Sequence, residues 1–224
     1  MAVVAVSATS GGIAFAGDVT ADSELAAAKA AIAKQTSVHV VFTAHAGGSS
    51  STTEKIVADV GTTSGVETIV EGTANLEIRA TPDFAYMSGN SAGLTTVFGL
   101  SSADAKKLGR HWESWKAGTK QYANLRSDLK MSSVKALLPE AKGTKLSSGP
   151  GTYVLRWTTA ATSSIPKLAN TLTLSAKGTN LPISKTETDS GGTKVTTTLS
   201  RWGEQVAVSP PPARSTISSS KLGG

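Results

Sequence analysis

The sequence predicts an α+β fold: a single large, curled, mostly antiparallel β-sheet with helices packed on its concave face. Three observations lead there. Thr, Ser, Ala, Gly and Val dominate the chain, and the β-branched share suits pleated, half-buried surfaces. Apolar residues alternate with a period of two through two long tracts, which are cut by turns too short for parallel crossovers. Apolar stretches with helical spacing stand before the first tract and between the two, giving the order helix, about five strands, helices, about five strands. A length of 224 residues suits one large β-rich domain with a real core.

Residues 3–16 (VVAVSATSGGIAFA) are small and apolar and end in Ala14-Phe15-Ala16 before Gly17. This A-x-A site marks residues 1–16 as a signal peptide or its remnant, although a positive n-region is missing. The stretch is too short and too rich in Gly and Ser to span a bilayer. Residues 17–212 then form the single domain, and the Ser-rich residues 213–224 form a disordered tail that cannot bury enough to order itself.

Residues 22–34 read as a helix, with Leu25, Ala28 and Ile32 on one face and Asp22 or Ser23 at the cap. The period then changes to two: Val38, Val40 and Phe42 alternate with His39, Val41 and Thr43, and the strand runs out into Gly47-Gly48-Ser49. Further strands follow at 55–60, 66–71, 74–80 and 84–87. Ser101 and Asp104 have capping-box spacing, and Ala105, Leu108 and Trp112 share a face behind them. Residues 133–138 give another short helical turn, stopped by Pro139. Strands resume at 153–159, 171–176, 183–188, 194–200 and 205–208, with a turn at 189–192 and an end at Pro210. A sheet this long must curl or close. The apolar helical pieces are best buried across its concave side.

Several chemistries are offered and then fail. Gly89-Asn90-Ser91-Ala92-Gly93 matches the G-x-S-x-G of serine hydrolases, which need an Asp and then a His much later in the chain. Here Asp104 and His111 fall in one short helical excursion, and the alternating β/α framework is missing, so a hydrolase centred on Ser91 is the weakest reading. His39 and His45 share a strand face but lie about 20 Å apart, too far for one metal; no metal site or cofactor is expected. Glu67, Glu71 and Glu77 read as outward-facing residues. The chain contains no cysteine, which excludes disulfides, thiol catalysis and an acylated-cysteine anchor. A net charge of +6 permits attraction to an anionic membrane or cell-wall surface. Lys and Arg are scattered, however, and Trp112 and Trp115 are too few for a stacking platform, so no nucleic-acid partner is expected.

The C-terminal half carries a resemblance. Leu181-Pro182-Ile183 opens a strand, and Leu199-Ser200-Arg201-Trp202-Gly203-Glu204-Gln205-Val206 follows a Gly-rich hairpin. Together they look like the closing strands of the half-barrel lipid carriers, the LolA-like and LppX/LprG-like envelope proteins. The opening from Leu25 to Phe42 and the strand at Pro82-Asp83-Phe84-Ala85-Tyr86 resemble them too. The resemblance implies a half-barrel of about ten or eleven strands around helices, with a cavity for acylated lipids. It departs at the lipobox cysteine, which this chain lacks.

These readings combine into a secreted or envelope-associated carrier of an apolar ligand, not an enzyme, and a monomer. The alternative is a cell-wall binding or structural module with a vestigial cavity. The inward phase of the strands should supply Val40, Phe42, Ile78, Tyr153, Leu155, Trp157, Leu172 and Leu174 to the cavity. The helical insert should close its mouth with Leu94, Phe98, Leu108, Trp112, Leu137 and Leu138.

Overall fold

The computed structural model describes residues 19–47, 53–140, 142–163 and 166–222. The expected signal peptide lies outside these residues. Helix α1 (Ala21–Ala33) leads into a meander of β1 (Ser37–His45), β2 (Thr53–Gly61), β3 (Gly65–Glu71), β4 (Ala74–Ala80), β5 (Phe84–Gly89) and β6 (Trp112–Lys116). A second meander follows: β7 (Lys145–Gly149), β8 (Thr152–Thr159), β9 (Leu168–Ser175), β10 (Pro182–Asp189) and β11 (Lys194–Ser200). The two meet where β1 pairs antiparallel with β11. A short β12 (Thr216–Ser218) adds parallel to β6. The result is one sheet in the order β12-β6-β5-β4-β3-β2-β1-β11-β10-β9-β8-β7. Its edges are β12 and β7, so it curls without closing.

The helices share one face of that sheet. A π-helical turn (Gly93–Val97) and α2 (Ser102–Leu108) lie between β5 and β6, while α3 (Lys120–Ser127) and α4 (Met131–Lys135) follow β6. Their starts are fixed locally: the side chains of Thr20, Ser101 and Thr119 accept from the backbone N–H of Ser23, Asp104 and Tyr122 at 3.1, 3.1 and 3.2 Å. Burial divides into two clusters. Val38, Ala58, Leu76, Ile78, Met87 and Trp115 meet Leu94, Leu108, Leu125 and Val134 under the insert. On the other half, Leu25 and Ala28 of α1 meet Leu155, Leu172 and Leu174.

Where the structure departs from the sequence reading, strand pairing is the cause. Trp112 is not helical. It stands on β6, paired to β5, and the alternation there turns Glu113 and Trp115 inward and Trp112 outward. Residues 205–208 form no strand. The segment after β11 instead crosses the convex face as a strap, with Gly203 N–H donating to Ser37 O at 3.0 Å, Ser64 Oγ to Val206 O at 3.1 Å and Arg79 Nη1 to Ser209 O at 3.2 Å. Within the expected tail of residues 213–224, β12 adds to the β6 edge, and Ile217 and Leu222 touch the larger core cluster. β7 is too polar to announce itself and forms because β8 offers it an edge.

Candidate ligand pocket

Register places Leu199, Val40, Ala58, Glu67, Ile78, Met87 and Glu113 in one row across the concave side, from β11 to β6. The row is apolar except for two carboxylates. Above its β11–β3 part, α4 does not close down on the sheet. A pocket of about 340 Å³ remains, walled by Val40, Phe42, Ile56, Ala58 and Val60 below and by Val134 and Leu137 above. That volume is near the lower end of the 300–1,000 Å³ or so typical of small-molecule sites. Its polar points are Glu67, Asp128, Ser133 and Thr197, and among the described residues no Lys or Arg lines it. The rim reaches water at exposed Asp128.

Glu67 is the unexpected member. Its polarity predicts an outward-facing side chain, but its partners across the sheet are the inward residues Ala58 and Ile78, and it is only 8% exposed. It makes no hydrogen bond or ion pair among the described residues. No fully buried side-chain oxygen there lacks a partner, so the Glu67 oxygens must open onto the pocket. Burial, and then the neighbouring charges of Asp128 and Glu54, push its pKa from 4.5 to about 7. Glu113, further along the row, is also pushed up to about 7, by burial and then by Asp104. Arg126 makes no ion pair with Glu67; its guanidinium donates to the backbone oxygens of Leu129, Gly61 and Thr62.

The pocket-lining expectations fall into groups. Val40, Phe42 and Leu137 line the pocket. Ile78, Leu94 and Leu108 are buried in the larger cluster, with Phe98 tilted against Trp115 at 6.0 Å beside it. Leu155, Leu172 and Leu174 are packed with α1, and Tyr153, Trp157 and Leu138 flank them. Trp112 stands on the opposite face, where the Arg79 guanidinium lies 4.5 Å from its ring. Sequence reasoning missed Ile56, Ala58, Val60 and Val134. The i, i+2 phase of Ile56, Ala58 and Val60 was there to be read.

Among the described residues the other candidates are not brought together into a catalytic group. Exposed Ser91 lines a recess of about 690 Å³ with Lys106 and Arg110. Asp104 accepts from Ser101 Oγ at 2.6 Å and pairs with Lys107 at 3.4 Å, so it orients no histidine towards Ser91. On the convex face His39 Nδ1 lies 2.7 Å from Asp59 Oδ1, to which Arg201 Nη2 donates at 2.9 Å. Among the described residues no cluster of three or more His, Asp or Glu could hold a metal.

No protein-family model and no curated protein matches the sequence. Solved structures do. The lipoprotein LppX of Mycobacterium tuberculosis is 17% identical, at a TM-score of 0.44, covering 84% of this chain and 98% of its own. LprF of Mycobacterium bovis is 16% identical at 0.48, covering 85% and 96%. A LolA superfamily protein of Nitrosomonas europaea is 13% identical at 0.34, covering 85% and 96%. The chain is similar in fold to these proteins. At such scores nothing about cargo, partners or cellular location passes from them to this half-barrel.

Proposed function

We propose that this half-barrel is a carrier or chaperone for an apolar chain, working outside the cytoplasm, and not an enzyme. The observation that carries the reading is the pocket beneath α4, where Val40, Phe42, Ile56, Ala58 and Leu137 surround space that no side chain of the described residues fills. Each methylene buried there contributes about 0.8 kcal/mol. A chain of about ten carbons therefore gains roughly 8 kcal/mol before association and ordering costs, enough for binding in the micromolar-to-millimolar range. The Ala14-Phe15-Ala16 site supports export, and the basic charge of +6 supports weak docking to an anionic envelope surface. Organic extraction of protein purified from its own host's envelope, followed by mass spectrometry, tests the proposal. A stoichiometric alkyl- or acyl-bearing molecule is expected. An empty extract, alongside retention on isolated cell wall, would favour the binding module with a vestigial cavity.

A further inference from the structure

The pocket is apolar on its walls and acidic at one point. Glu67 is more than nine-tenths buried, without a protein partner, and opens onto the space that an apolar chain would occupy. Asp128 stands at the same pocket's rim, and Glu54, across β2, is the other charge felt at Glu67. All three are acids. Arg126 donates to backbone carbonyls, and among the described residues no cation lines the pocket. A buried carboxylate without a partner is costly unless something compensates it. Among the described residues no cation does.

We propose that the pocket's ligand is a cationic amphiphile, an alkyl or acyl chain ending in a protonated amine, with the chain against Val40, Phe42 and Ile56 and the ammonium between Glu67 and Asp128. The inference rests on the carrier reading and names its ligand class. A charge-assisted hydrogen bond from the ammonium to Glu67 satisfies a carboxylate that opens onto the pocket without a partner among the described residues. An anionic chain end, such as a fatty-acid carboxylate, meets two like charges and is rejected. The amine remains charged to about pH 10, so its binding strengthens as Glu67 ionises through about pH 7.

Calorimetric titration with decylamine, decanol and decanoate, at about pH 8 and about pH 5.5, tests this on the wild type, Glu67→Gln and Asp128→Asn. In the wild type at the higher pH, the amine should bind about tenfold tighter than the alcohol, and the alcohol tighter than the carboxylate. The amine's advantage should shrink at the lower pH. Glu67→Gln should abolish it while leaving decanol affinity within about twofold; Asp128→Asn, at the wetter rim, should reduce it less. An amine that binds no better than the alcohol, or an advantage that survives Glu67→Gln, overturns the inference and leaves the carrier reading standing. If none of the three binds, the carrier reading falls and this inference with it.

Discussion

Glu67 and Glu113 sit in an otherwise apolar row, and each has a pKa raised from 4.5 to about 7. An acid whose pKa rises on folding keeps its proton in the folded state after the unfolded chain has lost it. Stability therefore falls as pH climbs from about 4.5 to about 7, and the loss is complete above that window. Glu67→Gln removes one of the two contributions. The variant should melt above wild type at about pH 8, by an amount on the order of 2 kcal/mol, and match it near pH 4.5. Thermal denaturation across that range checks both halves, and equal melting at every pH contradicts the burial of an ionisable Glu67. Neither carboxylate was legible in the sequence. In residues 65–71 (GVETIVE) Val66 and Ile69 have opposite phases, so polarity alone sends Glu67 outward, and only the register with Ala58 and Ile78 turns it in.

The Gly89–Gly93 turn shows how a catalytic-looking motif can be a packing device. A Cβ at Gly93 would fall 2.1 Å from Asn75 O, and one at Gly89 would fall 2.5 Å from the same atom. The β3–β4 corner therefore lies directly against this turn. Asn90 ties the two together: its Oδ1 accepts from Asn75 N–H at 3.1 Å and Gly93 N–H at 2.8 Å, and its Nδ2 donates to Thr73 O at 2.7 Å. Gly93→Ala should lower stability by roughly 2–3 kcal/mol, since the clash is with backbone that cannot step aside. Ser91→Ala, on the exposed side of the same turn, should stay within about 0.5 kcal/mol. Urea unfolding of the pair checks the contrast; equal effects would contradict this reading of the turn. Helix α1 and strands such as β1, β4 and β8 were legible because their periods were clean. β6 was not, because Ala105, Leu108 and Trp112 imitate a helical face that β5 overrides by pairing with residues 113–116. The strap over residues 203–212 carries strand-like residues, but its hydrogen bonds go to scattered points of the convex face rather than to a ladder.

The two meanders join along β1 and β11, and the helices fill the trough unevenly. The first-meander core under the insert and the α1 core over β8 and β9 are each closed, while the stretch between them under α4 is not. The curl and the burial of helices in it followed from alternation and length. The place of the pocket did not, because it depends on how far α4 stands above β1 and β2, a distance set by tertiary packing. Hence several of the expected lining residues, Leu155, Leu172 and Leu174 among them, are packed against α1, while Ala58 faces the open space. Ala58 is where a side chain can take the ligand's place: Ala58→Phe adds a ring into the pocket without a new charge. Calorimetric titration of a neutral ten-carbon alcohol into the wild type and Ala58→Phe is the most direct test. The wild type should bind one equivalent, and Ala58→Phe should lose at least about tenfold in affinity while melting within a few degrees of the wild type. Equal binding by both proteins, or no binding by a folded wild type, would contradict a ligand pocket between the sheet and α4.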